Sequence, residues 1–534
     1  QRLTTISLFL TAIYTRLKEH KDEMSEDDED VLPSLRKSLK SKNSPNEMKL
    51  VPQVQNYNLD DFNHLMNSVA LRKASASKHP YYAKRKIARC YNYFLKRIDK
   101  EIESLNDESV VDFLLGKYNK VKQAMLVKIE VSSHSDAYVL FESLNNRGIP
   151  LTAIDLMKNL IMAKAEGNNL TIDDCFNRWQ TLLGNLSEDY SIQERFFRQY
   201  YNAFKHRLNE PFQSDADRKK DPLGVVATRS NLLNIFESLI NKDLPPFLDD
   251  ILQCGQIYSW LILQDTIEIP YRKALEDLDH IQGAPSYLLL MYLMRNKEEL
   301  AVSEEQINLI IRLLAKYFVR RNITDYPNTR DLTRIFMDII SKLEEAQATG
   351  GKVASIIIDI LSTPTNCASD EQFRRSLEGD VYKDNVGATR YILCKLAEAA
   401  MTQETWTDLW RRTDKKVFVW TIEHIFPEGQ NIPESWVNMI ADGDKELAKQ
   451  YLEEYTHKIG NLTITGYNST LGNKSFEEKR DRKSKDGQRF IGYKNGLDIN
   501  REIATMDKWT VDDIKTRTAT LVDELMKVYK FPGE

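Results

Sequence analysis

The chain has 534 residues, which is too long for one ordinary hydrophobic core and predicts two to four domains. Its 42% hydrophobic and 29% charged residues exclude a disordered chain and indicate a soluble, folded protein. With a formal net charge of -5, the surface as a whole does not attract nucleic acid. Any nucleic-acid site must therefore be a local basic patch.

Two further features bear on the environment of the protein. The longest strongly apolar run, SYLLLMYLM from Ser286, is far shorter than the roughly 20 residues of a transmembrane helix, so no membrane partner is expected. The cysteines are scattered, without a C-x-x-C pair, which favours reduced thiols over a zinc ribbon. We therefore expect a cytoplasmic protein.

The N-terminal part is predicted to mix helices with short strands. The chain opens QRLTTISLFLTAIYTRL without a methionine or a signal peptide, and its apolar spacing predicts a helix that begins at once, as in a fragment of a longer chain. The acidic run DEMSEDDED and the basic run LRKSLKSKNSP are typical of solvated loops. Strands are predicted at KLVPQVQ, residues 49–55, and MLVKIEV, residues 125–131, and a helix over residues 59–69.

The middle of the chain is predicted to be helical. Ser303 and Gln306 form a capping box, and the apolar residues that follow recur at helical spacing on one face. Similar faces recur around residues 231–240, 246–263 and 332–343. This pattern favours a helical scaffold.

The stretch FESLNNRGIPLTAIDLMKN, residues 141–159, combines a turn with a helix start. Thr152 and Asp155 make a capping box after the turn at Gly148. The simpler interpretation is a helical corner with Arg147 exposed. Alternatively, Asn145 and Arg147 project into a phosphate pocket beside the helix N-terminus. Spacing alone favours the corner.

The C-terminal part carries the most informative motif. VFVWTIEHIFP predicts a strand that ends at Glu423 and His424, residues 459–465 predict a second strand, and a polar helix begins near Asn468. This is the order of a His-Me (ββα-metal) nuclease site. A histidine with a pKa of about 6.5 can accept a proton from water, and a cation held by acid and amide oxygens can stabilise a leaving phosphate oxygen.

EHIFP and GNLTITGYNSTLGNKSFEEKR resemble the HNH-type nuclease domain of GmrSD-type modification-dependent (type IV) restriction endonucleases. QRLTT, FESLNNRGIPLT and KYFVRRNITDYPNT resemble the ParB-like, nucleotide-handling domain of the same family. The resemblance implies a mainly α, multi-domain protein. Its expected parts are the remnant of an α+β ParB-like domain in residues 1–165, incomplete at its start, a helical middle in 166–400, and a ββα-metal (His-Me finger) nuclease in 401–534.

The resemblance also assigns roles at the C-terminal site. His424 matches the general base, Asn461 the asparagine that braces the loop, and Lys479 a basic position of the motif. DNA contacts are expected from the cationic residues of the last segment, Lys474, Arg480, Arg482 and Lys483. His457 has no motif match and is expected at the surface.

A divalent cation, Mg²⁺ or Mn²⁺, is expected at Glu423, His424 and Asn468. For Glu423, an exposed acid at a strand end is nearly as good an interpretation. Asn473 is the alternative to Asn468, and one regular helix cannot point both amides at the same ion because they differ by roughly 140° around its axis. We prefer Asn468, which is both a catalytic and a metal candidate, because the second strand ends only a few residues before it.

At the other end, Gln1 and Arg2 match the last two residues of the family motif Asp-Gly-Gln-Gln-Arg. The resemblance implies a nucleotide or phosphate site formed by Gln1, Arg2, Asn145 and Arg147, in which Arg2 and Arg147 lie near one another. A nucleoside triphosphate is therefore left open as a second cofactor.

Together these features predict a metal-dependent DNA endonuclease of a phage-defence restriction system. Its partner is double-stranded DNA, with modification of the DNA and a homo-oligomer left open. The N-terminal domain would sense modified DNA or couple nucleotide hydrolysis to cleavage. The alternative is a helical DNA- or protein-binding module with an inactive nuclease fold. An NTPase that the nuclease domain only anchors is less favoured, because the chain has no Walker-type glycine loop.

Overall fold

The computed structural model of the protein is mainly helical, as predicted. It describes residues 2–28, 30–42, 44, 46–52, 58–73, 82–105, 109–126, 152–208, 223, 225–264, 268–413 and 417–532. Helix accounts for 66% of the structure, against about a third in an average domain. Within these ranges, no helix combines the length and the apolar character that a membrane crossing requires.

The chain divides into two compact units, Gln1–Pro150 and Leu151–Glu534. Within the second unit, the helix Ala153–Lys164 packs against Leu232–Lys242, and the helix Val386–Ala399 packs against a C-terminal strand. The division predicted at residues 165 and 400 stays a prediction.

The first unit is built around its N-terminal helix. Its described α-helices are α1 (Arg2–Glu19), α2 (Val31–Leu39), α3 (Asn58–Ser68), α4 (Lys86–Ile102) and α5 (Val110–Lys122). The helix α1 begins at the second residue, and its apolar face, including Leu8, Ile13 and Leu17, is buried against α2, α4 and α5. The N-terminal helix and the helix predicted over residues 59–69 are thus confirmed.

The two strands predicted for the first unit are not found where the chain is described. Residues 49–52 and 125–126 are in neither helix nor strand, and the remainder of both segments lies outside the described residues. Val51, Met125 and Leu126 are exposed, so their apolar side chains have no sheet face to pack against.

The second unit begins with a long series of helices. They are α6 (Ala153–Lys164), α7 (Ile172–Asn185), α8 (Tyr190–Leu208), α9 (Leu232–Lys242), α10 (Leu244–Leu261), α11 (Arg272–His280), α12 (Tyr287–Arg295), α13 (Glu304–Thr324), α14 (Thr329–Glu345), α15 (Gly351–Leu361), α16 (Asp370–Leu377), α17 (Val381–Asp384) and α18 (Val386–Ala399). The helices predicted around residues 231–240, 246–263 and 332–343 are confirmed as α9, α10 and α14. Both predicted capping boxes form, at the starts of α6 and α13.

After α18 the chain forms a short two-stranded sheet, and two helices lie between its strands in the sequence. The elements are β1 (Thr421–His424), α19 (Glu434–Ala441), α20 (Lys445–Tyr455), β2 (Leu462–Thr465), α21 (Asn468–Leu471), α22 (Phe476–Arg480), α23 (Arg501–Thr505) and α24 (Val511–Val528). The strands β1 and β2 pair in antiparallel fashion, with Thr421 opposite Thr465 and His424 opposite Leu462. The second strand is shorter than predicted because residues 459–461 form a 3-10 turn.

The single polar helix predicted after β2 is wrong, because the segment forms two short helices. Gly472 has φ +44°, in the left-handed region that glycine adopts without strain, and it ends α21. Ser475 and Glu478 then form a capping box that starts α22. The argument that Asn468 and Asn473 point apart on one regular helix therefore does not apply.

The helix α18 holds the chain that leads into β1. The Arg390 guanidinium is buried and donates hydrogen bonds to the carbonyl oxygens of Leu409 (2.6 Å) and Trp420 (3.1 Å). It also lies over the rings of Trp410 and Phe418, with its central carbon 4.5 and 3.6 Å from their centroids. Since Trp420 directly precedes β1, this helix fixes where the strand begins.

The loop after β1 is held by the fully buried Asn461. Its Oδ1 accepts hydrogen bonds from the Phe426 amide (2.8 Å) and from Trp509 Nε1 (3.1 Å). Its Nδ2 donates to the carbonyl oxygens of Phe426 (2.9 Å) and Thr456 (3.0 Å). One side chain thus joins the loop after β1 to the turn before β2.

We expect Asn461→Ala to destabilise the second unit by at least about 2 kcal/mol, because each buried polar group left without a partner costs about 1–3 kcal/mol. The measurement is urea unfolding followed by tryptophan fluorescence. The control is Asn438→Ala, which removes an exposed asparagine of α19. Equal unfolding midpoints for the two variants would contradict the bracing role of Asn461.

Candidate active site

The last two residues of β1 are both buried, with Glu423 2% and His424 8% exposed. Successive side chains of a strand point to opposite faces, so the two residues meet different neighbours. Glu423 faces Lys479 on α22, and His424 faces His457 on the turn before β2. The side chains of Glu423 and His424 therefore lie in two different environments.

The face of Glu423 carries a buried ion pair. Lys479 Nζ donates to Glu423 Oε1 (2.8 Å) and to the carbonyl oxygens of His424 (2.8 Å) and Ile425 (3.1 Å). All three ammonium hydrogens are thereby used. Burial raises the pKa of Glu423 and lowers the pKa of Lys479, and their mutual attraction opposes both shifts. These contacts hold the backbone at the end of β1.

The metal role predicted for Glu423 is not favoured by this arrangement. The carboxylate is bound to Lys479 and faces away from His424. Because the acid is buried, the alternative of an exposed acid at a strand end is wrong. The predicted catalytic role of Lys479 stays a prediction, and its contacts are those of a positioning residue.

The face of His424 brings three further side chains together. His424 Nε2 lies 3.3 Å from His457 Nδ1 and 3.7 Å from Glu428 Oε2. The Tyr382 ring stands edge-on to His424, with centroids 4.5 Å apart, and stacks on His457 at 5.4 Å and 11°. Tyr382 lies on α17, so the helical part of the unit contributes to this site.

His424 is neutral at physiological pH. Burial lowers the pKa of His424 to about 3, with further lowering from His457 and Lys479. A neutral imidazole keeps a lone pair on one ring nitrogen, which can accept a proton or bind a cation. The lowered pKa means that the imidazole holds a proton only weakly in this structure, so the predicted role of His424 as a base stays a prediction.

The two candidate amides lie on either side of the break between α21 and α22. Asn468 is partly buried, and its Nδ2 donates to the Ile422 carbonyl oxygen at 2.6 Å. Asn473 is exposed and lies beside Gly429, where an added Cβ would be 2.9 Å from Asn473 Nδ2. Asn473 therefore borders the loop that carries Glu428. Metal binding by either amide stays a prediction.

The cationic residues predicted to contact DNA differ in how exposed they are and in whether a carboxylate already binds them. Arg480 binds the carboxylates of Asp481 and Asp507, at 2.7 and 3.0 Å, so most of its charge is compensated. Lys474 is 3.5 Å from Glu478. Arg482 is partly buried, and the exposed Lys483 lies over the Phe490 ring. Of the four, Lys483 is the most accessible to a phosphate.

The residues predicted to bind nucleotide are only partly described. Gln1, Asn145 and Arg147 lie outside the described residues, and Arg2 is an exposed residue in the first turn of α1. The predicted proximity of Arg2 and Arg147 therefore stays a prediction.

Sequence reasoning missed three residues near His424, and two of them carry a detectable signal. Glu428 follows His424 by four residues, and His457 precedes Asn461 by four residues within the same stretch of motif. The prediction of a surface position for His457 is wrong, because the residue is partly buried beside His424. Tyr382 carries no local signal, since only the fold brings α17 to the strand.

Comparisons with known proteins identify both ends of the chain. Residues 367–524 match the family model of the C-terminal domain of GmrSD restriction endonucleases, and residues 1–162 match that of the N-terminal domain. No curated protein matches the chain. The C-terminal match includes α17, β1, β2 and the residues around His424. The chain belongs to the GmrSD restriction endonuclease family.

Proposed function

We propose that the protein is a metal-dependent DNA endonuclease of a modification-dependent restriction system, with its hydrolytic centre around His424. The observation that carries this proposal is the position of His424 Nε2, which lies at the end of β1 among His457, Glu428 and Tyr382. The family is that of a restriction-type nuclease, which implies a DNA substrate. We also propose that β1, β2 and the helices after them form a ββα-metal site of the HNH type.

The chain's own residues would prepare this centre for a phosphodiester. His424 presents a neutral nitrogen, which by the family resemblance accepts a proton from the attacking water. Lys479 fixes the backbone at His424 and Asn461 fixes it two residues later, so the imidazole keeps its position while substrate binds. A divalent cation would supply positive charge to the phosphate oxygens. Asn468 and Asn473 offer amide oxygens for it.

The first unit contains a cleft of about 970 Å³ that suits the phosphate backbone of DNA. The cleft is lined by cationic side chains from α1, α2 and adjoining loops, namely Lys18, Lys21, Arg36, Lys37, Lys40 and Lys42. None of the described residues that line it is acidic. Burial lowers the pKa of Lys40, and repulsion from Arg36 and Lys73 adds to the shift. A bound polyanion would relieve this repulsion.

This cleft favours a DNA-binding role for the first unit beside its proposed sensing of modified DNA. The solvated loop predicted for the basic run LRKSLKSKNSP is wrong at residues 35–39, which belong to α2 and present Arg36 and Lys37 to the cleft. A helix holds these cations in a fixed array, which lowers the entropic cost of binding a phosphate backbone. We also propose that this unit couples the hydrolysis of a nucleoside triphosphate to DNA cleavage. For the whole protein we propose a cytoplasmic location.

We expect His424→Ala to lower metal-dependent nicking of plasmid DNA by about 100- to 10,000-fold, the usual contribution of a general base. The comparison is made at matched purity on modified and unmodified plasmids, with folding checked by circular dichroism. His20→Ala, which changes a histidine of the first unit paired with Glu23, is the control and should cut normally.

Nicking by His424→Ala at the wild-type rate would overturn the assignment of the active centre. If the wild-type protein binds DNA and nicks none of the plasmids with any divalent cation, the alternative of a binding module with an inactive nuclease fold is supported instead.

We expect the double variant Arg36→Ala, Lys37→Ala to bind duplex DNA more weakly and with less dependence on salt. Two lost phosphate contacts should lower the slope of log affinity against log salt by about 2. The measurement is fluorescence anisotropy with a labelled duplex at several salt concentrations. The control, Lys96→Ala with Lys100→Ala, removes two exposed lysines of α4. An unchanged slope in the cleft variant would exclude the cleft as the DNA site.

A further inference from the structure

We propose that residues 482–491, a basic hairpin between α22 and α23, bind the phosphate backbone of duplex DNA beside the candidate active site. The inference rests on the proposed function, because it names a surface that holds the DNA substrate of the same nuclease. It goes beyond the DNA contacts predicted from the sequence, which include only Arg482 and Lys483 of these residues.

The backbone of the basic hairpin is ordered by contacts of its own. Lys483 pairs with Phe490 in an antiparallel bridge. Nearer the tip, the Ser484 amide donates a hydrogen bond to the Arg489 carbonyl oxygen at 2.9 Å. Gly487 has φ +73°, in the left-handed region that glycine adopts without strain, and it lets the chain reverse. The cations of this segment therefore lie on a defined turn.

The base of the basic hairpin is fixed to the end of α22. An added Cβ on Gly492 would be 1.9 Å from the Lys479 carbonyl oxygen, so the two backbones touch where only glycine fits. The Tyr493 amide donates to the same oxygen at 3.2 Å, and the Lys494 amide donates to the Arg480 carbonyl oxygen at 3.3 Å. These contacts supply partners for carbonyl oxygens at the helix end.

The same anchor connects the basic hairpin to the support of His424. Lys479, whose carbonyl oxygen binds the Tyr493 amide, donates from its Nζ to the His424 carbonyl oxygen at 2.8 Å. The Tyr493 side chain is buried beside Glu423, and burial and this acid raise the pKa of its hydroxyl. One lysine thus spans from the hairpin base to the backbone of His424.

The position of the anchor bears on the kind of partner. A DNA strand carries one phosphate per about 3.4 Å of duplex axis. DNA that reaches His424 therefore places further phosphates along the adjoining surface, where the basic hairpin is fixed through Lys479. A neighbouring stretch of the substrate's own backbone is the partner that fits this surface.

Three cations of the basic hairpin are available to such phosphates. Lys483, Lys485 and Arg489 are exposed, and no carboxylate pairs with them in the part of the chain that the structure describes. The acid of the hairpin, Asp486, is bound within the turn, where its Oδ1 accepts a hydrogen bond from the Gln488 amide at 3.1 Å. In a chain with a formal net charge of -5, these residues form a local basic patch.

The Phe490 ring positions the ammonium groups beside it. Lys483 Nζ lies 5.0 Å and Lys494 Nζ 5.7 Å from the ring centroid, within the range of a cation–π interaction. Lys494 is also paired with Asp481 at 2.6 Å. Cations that are already held in place lose less entropy when they bind a phosphate backbone. Phe490 is therefore a positioning residue of the basic hairpin.

The chemistry of the patch also defines what it reads. Lysine and arginine on an exposed turn contact phosphates, and phosphate contacts fix the register of a protein on DNA without reading its bases. The basic hairpin therefore contributes affinity that is independent of the sequence and of base modification.

The first experiment measures duplex binding by the full chain with fluorescence anisotropy at several salt concentrations. The double variant Lys485→Ala, Arg489→Ala should bind more weakly, and its slope of log affinity against log salt should fall by about 2, equally on modified and unmodified duplexes. The control, Lys445→Ala with Lys449→Ala, removes two exposed lysines of α20. An unchanged slope, or an equal fall in the control, would overturn the inference.

Two substitutions of Phe490 test its positioning role. Phe490→Tyr keeps an aromatic ring for the two ammonium groups and should bind duplex DNA as the wild type does. Phe490→Leu keeps an apolar side chain without the ring and should bind about two- to fivefold more weakly. Equal affinities of the two variants would contradict the role of the ring.

A crosslink tests the location of the DNA directly. Gln488→Cys places a thiol at the exposed tip of the basic hairpin, and Glu446→Cys places one on the exposed face of α20 as the control. With a duplex that carries a disulfide tether on one backbone phosphate, Gln488→Cys should form a covalent complex well above the level of Glu446→Cys and of the wild type. Equal levels in all three proteins would contradict the inference.

The results separate this inference from the proposed function. If the wild type nicks plasmid DNA while the hairpin variants bind and crosslink as their controls do, the nuclease stands and the basic hairpin is wrong as a DNA site. If Gln488→Cys crosslinks and the wild type nicks no plasmid with any divalent cation, the hairpin binds DNA and the proposed nuclease function is wrong.

Discussion

The buried ion pair between Glu423 and Lys479 is the contact on which the geometry of the site depends. Two charges in a protein interior are tolerated only when hydrogen bonds satisfy them, and removal of one partner costs about 3–5 kcal/mol. Here the ammonium group binds the carboxylate and two carbonyl oxygens of the chain after Glu423. The pair therefore sets the path of the backbone that positions His424, and it acts on the chemistry through that backbone.

Because side chains alternate along β1, the residue that stabilises the strand end and the candidate catalytic histidine lie on opposite faces. One face of the strand end carries the ion pair, and the opposite face carries the imidazole of His424. Asn461, which directly precedes β2, adds to this support. Its side-chain amide connects the segments on which His424 and His457 lie. Rigid support on one face allows partly exposed, adjustable groups such as Glu428 on the other.

Sequence patterns predicted the strand end, the helical middle and several helix starts, because these depend on local signals such as alternation and capping boxes. The break between α21 and α22 has a local signal too, in Gly472 followed by Asn473, but the polar, helix-forming composition of the segment predicted one helix. The partner of Glu423 could not be predicted, since 56 residues separate it from Lys479. Tyr382 meets His424 only through tertiary packing, which no local pattern records.

The position of Tyr382 and Arg390 on consecutive helices means that the candidate active site is built partly from the helical region before β1. Arg390 fixes the entry to β1, and Tyr382 contacts both imidazole rings. Because α18 also packs against β2, a displacement of these helices would move the strands together with the two rings. A change in the position of this helical region would therefore alter the surroundings of His424 as well as the entry to β1.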